Sequence, residues 1–237
     1  MKLDVSAFFP CYNDAESIGK MVGDVDRALG GSDLVGDYEI IVVNDGSKDG
    51  SAAVLEALRA EHPKLIVVTH PQNRGYGGAL ITGFATATKD WIFYTDGDAQ
   101  YDASEVVDLL AAVRPDTDIV QGWKLTRGDS WYRKVIGRVY HHVVKRFFNL
   151  HVRDTDCDFR LFRRALVQQR PLVSTSGVIC VEMMRTFERQ NARFVEVPVH
   201  HYFRPAGKSQ FFRLPAIGRS ARQLLELWWK LIVRRRS

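Results

Sequence analysis

Short apolar runs alternate with segments of helical periodicity through the first half of the chain. Leu3–Phe9, Tyr38–Val43, Leu65–Thr69, Trp91–Thr95 and Asp118–Gln121 are rich in Val, Ile and aromatic residues and predict strands. The intervening residues 15–30, 51–61, 77–88 and 103–113 predict helices. Strands alternating with helices build a mainly parallel sheet covered on both faces, and such sheets bind ligands beyond the carboxyl ends of their strands. Polar clusters stand at four of those ends: CYNDAE, NDGSKDGS, NRGYGG and DGDAQYD. The expected fold class is α/β and Rossmann-like.

The second half reads differently. Residues 131–148 predict a helix with Val135, Ile136, Val139, Val143 and Phe147 on one side and Lys134, Arg138, His141 and Lys145 on the other. After DTDCDFRLFRR come a helix near 178–190, a strand Phe194–Val197 and the loop HHYFRPAGKSQF. Residues 217–236 predict a last amphipathic helix, its apolar face made of Ile217, Ala221, Leu224, Leu225, Trp228, Leu231 and Ile232. There is no internal repeat and no low-complexity linker.

Composition narrows the class. With 237 residues, 46% hydrophobic and 26% charged, the chain is neither fibrous nor mainly disordered. No apolar run reaches the roughly 18 residues of a spanning helix, and MKLDVSAFFP does not read as a signal peptide. Cys11, Cys157 and Cys180 share no CxxC spacing, which argues against a zinc site or a disulfide framework and makes a reducing cytosol the default. Charge is sharply divided. Residues 1–122 carry 9 Lys and Arg against 20 Asp and Glu, whereas residues 123–237 carry 24 against 8, so net charges of −11 and +16 face each other. An acidic half suits metal and sugar chemistry, and a basic half suits phosphates, nucleic acid or an anionic membrane.

The sharpest local feature is the DGD of Asp96, Gly97 and Asp98. Two carboxylates at i and i+2 just past a strand can aim oxygens at one divalent cation, and Gln100 adds a neutral oxygen on the same side. Taken alone, the string is better explained as a capped turn, with Asp102 and Ser104 following at once. In VNDGSKDGS, Ser47 to Ser51 read as a βα turn with helix caps, and Asp45 is left over as an acceptor for a base or ribose. The glycines of NRGYGGAL favour close helix–sheet packing over a phosphate loop.

Together, FPCYNDAESI, VNDGSKDGS, NRGYGGAL, YTDGDAQYD, DTDCDFRLFRR and RPAGKS resemble, in order and spacing, the family 2 glycosyltransferases of GT-A fold. The similarity is strongest to the polyprenyl-phosphate, dolichyl-phosphate mannose synthase-like branch. The resemblance implies a GT-A domain over 1–212, with a nucleotide-sugar half (1–122) and an acceptor half (123–212), followed by a basic amphipathic helix (213–237). It implies that Pro10, Tyr12, Asn13, Asp14 and Asp45 hold the nucleotide base and ribose, and that Asp96 contacts the nucleotide sugar. Asp98 and Gln100 would hold Mg²⁺ or Mn²⁺, and Arg204 and Lys208 would close over the diphosphate. Relatives usually carry Glu at Asp14, Asp at Asn44, Ala at Gly97 and Gly at Asp158.

Such a reaction builds negative charge on the departing diphosphate, which a metal and basic side chains offset. A hydroxyl acceptor also needs a general base, for which Asp154 and Asp156 are candidates, but a phosphate acceptor is already ionised. The resemblance puts the acceptor phosphate on basic residues here, with Lys124, Arg127 and Arg133 the candidates; a solvated basic face is the competing explanation. The leading expectation is an inverting, metal-dependent transferase acting from a UDP- or GDP-linked sugar onto polyprenyl phosphate. It would work on the cytoplasmic face of an anionic membrane, with Asp98, Arg133 and Asp156 as catalytic residues. The same fold acting on a glycan or small-molecule hydroxyl is the alternative, and nucleic acid is disfavoured for lack of a recognised motif. Trp228, Trp229, Lys230 and Arg234–Arg236 suit a headgroup boundary, although the helix could equally pack on its own domain or on a second copy in a homo-oligomer.

Overall fold

The structure, a computed structural model, describes residues 2–125, 131–155, 157–203 and 214–233; at 131–136, 138–140, 214–217 and 219 it describes the backbone alone. Seven strands form one sheet: β1 Leu3–Cys11, β2 Val35–Asn44, β3 Leu65–Thr69, β4 Trp91–Thr95, β5 Ile119–Lys124, β6 Phe159–Arg163 and β7 Phe194–Val199. The helices are α1 Ile18–Gly30, α2 Ser51–Glu61, α3 Tyr76–Thr86, α4 Val106–Ala112, α5 Trp131–Phe148, α6 Ala165–Gln169, α7 Val178–Arg189 and α8 Leu214–Trp228, the last running into a π-helical turn, Trp229–Val233.

The strand order is β3-β2-β1-β4-β6-β5-β7. Only β6 runs against the rest, antiparallel to both β4 and β5. The sequence pattern did not predict it, nor the short α6. FRLFR looks half polar, yet its first four residues are buried, because Arg160 is taken inward whole. With β6 reversed, the carboxyl ends of the other six strands and the entry to β6 lie along one edge.

Burial explains the layers. In β1 all but Asp4 are buried, the continuous apolar run of a strand covered on both faces. Val5, Ala7, Phe9 and Cys11 face a core shared with Ile18, Met21, Val22, Val25 and Leu29 of α1, Leu55 of α2 and Leu109 of α4. Phe8 faces the other core, with Leu80 and Phe84 of α3, Val144 and Phe148 of α5, Met183 and Phe187 of α7, and Leu227 of α8.

Two expected helix faces are corrected. Among the described side chains of α5, Val144 and Phe148 are buried, while Val143 and Phe147 are 43% and 51% exposed. In α8 Leu227 is buried, and Leu224, Trp228, Leu231 and Ile232 pack beside it, but Leu225 points out at 66% exposure. The helical repeat centres 224, 227, 228 and 231 on one side and leaves 225 at its edge, about 100° round from 224. Trp228 is anchored to the domain by its indole N–H, which donates to the Phe147 carbonyl at 3.1 Å. Among the described residues no helix is long and apolar enough to cross a membrane.

Candidate active site

The loops after β1 and β2 are stitched together. Asn13, in the left-handed region at φ 57°, donates its N–H to Ser47 Oγ (3.0 Å) and accepts from the Lys48 N–H (2.8 Å). Asp14 accepts the Tyr12 N–H at 3.0 Å and donates its own N–H to Ser51 Oγ. Pro10 is buried within β1, so its contribution is the shape of the strand end. Tyr12 stands half-buried at the surface of this edge.

Asp45 is held by the chain's own loops. It is 2% exposed, and its Oδ1 accepts from the Arg74 N–H (2.8 Å) and pairs with His70 Nδ1 (2.6 Å) while Oδ2 accepts from the Gly75 N–H (3.0 Å). His70 in turn meets Thr82 Oγ1 at 2.9 Å. Three acceptor positions are thus spent on the chain itself, and the carboxylate ties the loop after β3 to the end of β2. His70 is a residue the sequence pattern did not single out.

The glycines of NRGYGG are there for close approach. A Cβ on Gly77 would stand 2.1 Å from the Ser174 carbonyl oxygen, and one on Gly75, at φ 82°, 2.6 Å from that of Thr175. The Gly77 N–H donates to Thr175 O at 3.0 Å, and Glu182, buried in α7, accepts from the N–H groups of Val173 and Ser174. The loop 173–177 therefore lies on the start of α3. Between these glycines stands Tyr76, whose hydroxyl donates to Asp96 Oδ1 at 2.7 Å.

The DGD turn is built tightly onto β1. A Cβ on Gly97 would approach the Pro10 carbonyl oxygen to 2.7 Å, which accounts for glycine rather than alanine here, and Ser17 Oγ donates to Gly97 O at 2.8 Å. Ala99 sits at φ 55°, a left-handed conformation costly to an L side chain, and the turn brings the Gln100 N–H to Asp98 Oδ1 at 3.1 Å. The Gln100 amide reaches the Tyr202 carbonyl at 3.3 Å. Burial first, then the charges of Asp158 and Asp98, pushes the Asp96 carboxyl well above the usual carboxylate range, against the pull of the Tyr76 hydroxyl. Crowded carboxylates of this kind are what a divalent cation relieves. Among the described residues no three His, Cys, Asp or Glu side chains form a metal cage. One or two carboxylates at the edge of an open site are the donor set Mg²⁺ or Mn²⁺ takes when substrate phosphates complete its shell.

Across from this turn, Arg160 is fully buried. Its Nε donates to Gln121 Oε1 (2.7 Å), its Nη2 to Thr155 O (3.2 Å), and its Nη1 to Asp158 Oδ1 (2.8 Å) and to the Tyr94 hydroxyl. Arg160, Tyr94 and Cys180 form a polar floor that a local sequence pattern could not reveal. Lys124 closes β5, its N–H directed to Asp154 Oδ2 at 3.4 Å and its ammonium 6.0 Å from the Tyr101 ring centroid. Arg127, Asp156, Arg204 and Lys208, and the side chain of Arg133, lie outside the described residues.

Seven loops thus meet at one edge, with two carboxylates in a tight turn at its centre. The family model Glycosyl transferase family 2 matches residues 6–170. The chain belongs to that family. Family 2 enzymes are glycosyltransferases, and the fold matches solved GT-A members. Glucosyl-3-phosphoglycerate synthase from Mycobacterium tuberculosis, in complex with Mn²⁺, UDP and glucosyl-3-phosphoglycerate, superposes with a TM-score of 0.69 at 19% identity, covering 96% of this chain and 79% of that one. The same synthase with Mg²⁺ and UDP gives 0.68 at 17% identity, with the same coverage of 96% and 79%. A mannosyltransferase from Pyrobaculum calidifontis in complex with GDP-Man and Mn²⁺ gives 0.68 at 19% identity, covering 99% of this chain and 65% of that one.

Proposed function

We propose that this family 2 enzyme is an inverting, metal-dependent glycosyltransferase moving a sugar from a UDP- or GDP-linked donor to a polyprenyl phosphate at a membrane surface. The observation that carries the acceptor reading is the composition of the mouth beside the DGD turn. Leu125 (53% exposed), Tyr202 (49%) and Phe203 (74%) stand in solvent there, next to the cationic end of β5 at Lys124. The Tyr202 N–H donates to Gln100 O at 2.7 Å, which ties this apolar rim to the DGD turn. A phosphate that enters the site on an isoprenoid chain needs a cation for its head and an apolar wall for its tail. The neighbouring Arg127 and Arg133 add positive charge in the same stretch of sequence.

In this reading residues 1–212 form the catalytic domain, its halves 1–122 and 123–212 serving donor and acceptor. Asp98, with Asp96 and Gln100, holds Mg²⁺ or Mn²⁺, which supplies positive charge against the donor diphosphate. Tyr12, Asn13 and Asp14 border the base and ribose, and Arg204 and Lys208 approach the diphosphate. An acceptor phosphate oxygen, held by Lys124, Arg127 and Arg133, attacks the anomeric carbon from the face opposite the leaving group. The bond from that carbon to the diphosphate oxygen breaks, its electron pair stays on the diphosphate, and the configuration inverts. No proton has to be removed from an ionised phosphate, so Asp154 and Asp156 are required as bases only for a hydroxyl acceptor.

The membrane part of the reading is supported by exposed apolar residues on adjacent helices, Val143 and Phe147 of α5 and Leu225 and Trp229 of α8 and its π turn. Seven Lys and Arg occur in residues 213–237. At about 1 kcal/mol per basic residue near an anionic leaflet these support reversible attachment to the cytoplasmic face. The test is incubation with labelled UDP-glucose or GDP-mannose, Mn²⁺ and undecaprenyl phosphate in vesicles. A labelled lipid that partitions into organic solvent is expected. A product formed only on phosphoglycerate or a glycan hydroxyl overturns the acceptor assignment.

A further inference from the structure

Asp158 is the residue that neither the metal nor the acceptor assignment uses. It precedes β6, whose ladder with β4 ends at the pair Thr95↔Phe159; one step further, the same antiparallel register sets Asp158 across from Asp96. Its Oδ1 is held by three donors: Arg160 Nη1 at 2.8 Å, the Tyr94 hydroxyl at 3.1 Å and Cys180 Sγ at 3.2 Å. Arg160, itself 0% exposed and fixed by Gln121 and Thr155, cannot swing away. Among the described residues Oδ2 has no hydrogen-bond partner, although the side chain is 20% exposed at the binding edge. One oxygen is therefore clamped and the other is an open acceptor at a fixed point beside the DGD turn.

The chemistry of the neighbourhood selects what can meet that oxygen. A phosphate would face two carboxylates, Asp96 and Asp158, and is repelled. A divalent cation is better served by the paired carboxylates of the DGD turn. A neutral group that donates a hydrogen bond remains, and a nucleotide sugar presents such groups as the hydroxyls of its ring. We propose that Asp158 Oδ2 accepts a hydrogen bond from a hydroxyl of the donor's sugar ring, making Asp158 a specificity-determining residue of the donor site. The inference rests on the nucleotide-sugar reading above and assigns a contact within it.

The experiment separates nucleotide from sugar. Calorimetry with Mn²⁺ measures the dissociation constants of UDP and UDP-glucose, and of GDP and GDP-mannose, for the unmodified chain, Asp158→Asn and Asp158→Ala. Nucleotide binding reports on the donor reading and on folding, and the ratio of nucleotide-sugar to nucleotide constants reports on Asp158. Loss of a hydrogen bond to a charged group predicts a ratio raised about 10-fold or more in both variants, with nucleotide affinity within about twofold of the unmodified chain. Should Asp158→Ala fail to fold beside a stranded Arg160, Asp158→Asn, which keeps the shape and an acceptor for the guanidinium, is decisive alone. An unchanged ratio, or equal loss of nucleotide and nucleotide sugar, overturns the assignment. Absence of nucleotide binding by the unmodified chain overturns the donor reading, and this inference with it.

Discussion

Replacing Asp45 by Ala distinguishes a scaffold carboxylate from a ligand-binding one. At 2% exposure the side chain accepts two backbone N–H groups, from Arg74 and Gly75, and pairs with His70. Hydrogen bonds to a charged group contribute about 1.5–3 kcal/mol each, and the two stranded amides and the imidazole stay buried, so the loss is about 3–5 kcal/mol after allowance for non-additivity. For a domain of this size each kcal/mol moves the melting temperature by about 2–4 °C, which predicts a fall of about 6–20 °C. Asp45→Asn, which keeps the shape and one acceptor oxygen, should fall by roughly half as much by the same reasoning. Circular dichroism melts, paired with calorimetric titration of UDP or GDP, read both roles. Asp45→Ala that melts within about 2 °C of the unmodified protein and yet binds no nucleotide would refute the scaffold role and restore the direct contact expected from sequence.

Three further outcomes follow from packing and charge. Gly77→Ala places a Cβ 2.1 Å from Ser174 O and should cost about 1–3 kcal/mol in thermal melts, whereas Gly19→Ala, with its nearest neighbour Leu58 Cδ1 at 3.9 Å, should be neutral or stabilising; equal melts for the two would contradict the packing account. Leu227→Ala should cost about 2–5 kcal/mol and leave vesicle binding intact, while the double variant Leu225→Ser, Trp229→Ser should do the reverse; the opposite pattern would exchange the buried and exposed faces of α8. Burial pushes the Cys11 and Cys157 thiols up to about 12 and Cys180 well above its ordinary value. The folded chain then keeps thiol protons that the unfolded chain releases near pH 9, so the cysteines' contribution to stability should be constant below that and fall as pH rises toward 12. Ellman's reagent should find no reactive thiol in the native protein at pH 8, and a fast-reacting thiol or a flat alkaline melting profile would contradict this.

Much of the architecture was legible in the chain because parallel strands covered on both faces are continuous apolar runs. Trp91–Thr95 coincides with β4, buried along its whole length, Leu65–Thr69 coincides with the half-exposed edge strand β3, and the four polar clusters do lie at one edge. What local pattern could not show depends on contacts distant in sequence. β6 escaped notice because its arginines look solvent-facing, and only Tyr94, Gln121, Thr155 and Asp158, brought together by the fold, make it possible to bury Arg160. The same holds for Asp45, whose partners at 70, 74 and 75 arrive from the far end of α2 and β3. Trp228 and Trp229 read alike in sequence, but the helical repeat sends one to Phe147 and the other to solvent.

The central claim is that the DGD turn grips a cation that binds the donor's diphosphate. Calorimetric titration of UDP and GDP into the unmodified chain and Asp98→Asn, with Mn²⁺ and with EDTA, tests it most directly. The account predicts nucleotide binding that depends on Mn²⁺ in the unmodified chain and weakens at least 10-fold in Asp98→Asn, with the two proteins melting alike. Nucleotide binding that is indifferent to Mn²⁺, or unchanged in Asp98→Asn, would contradict it.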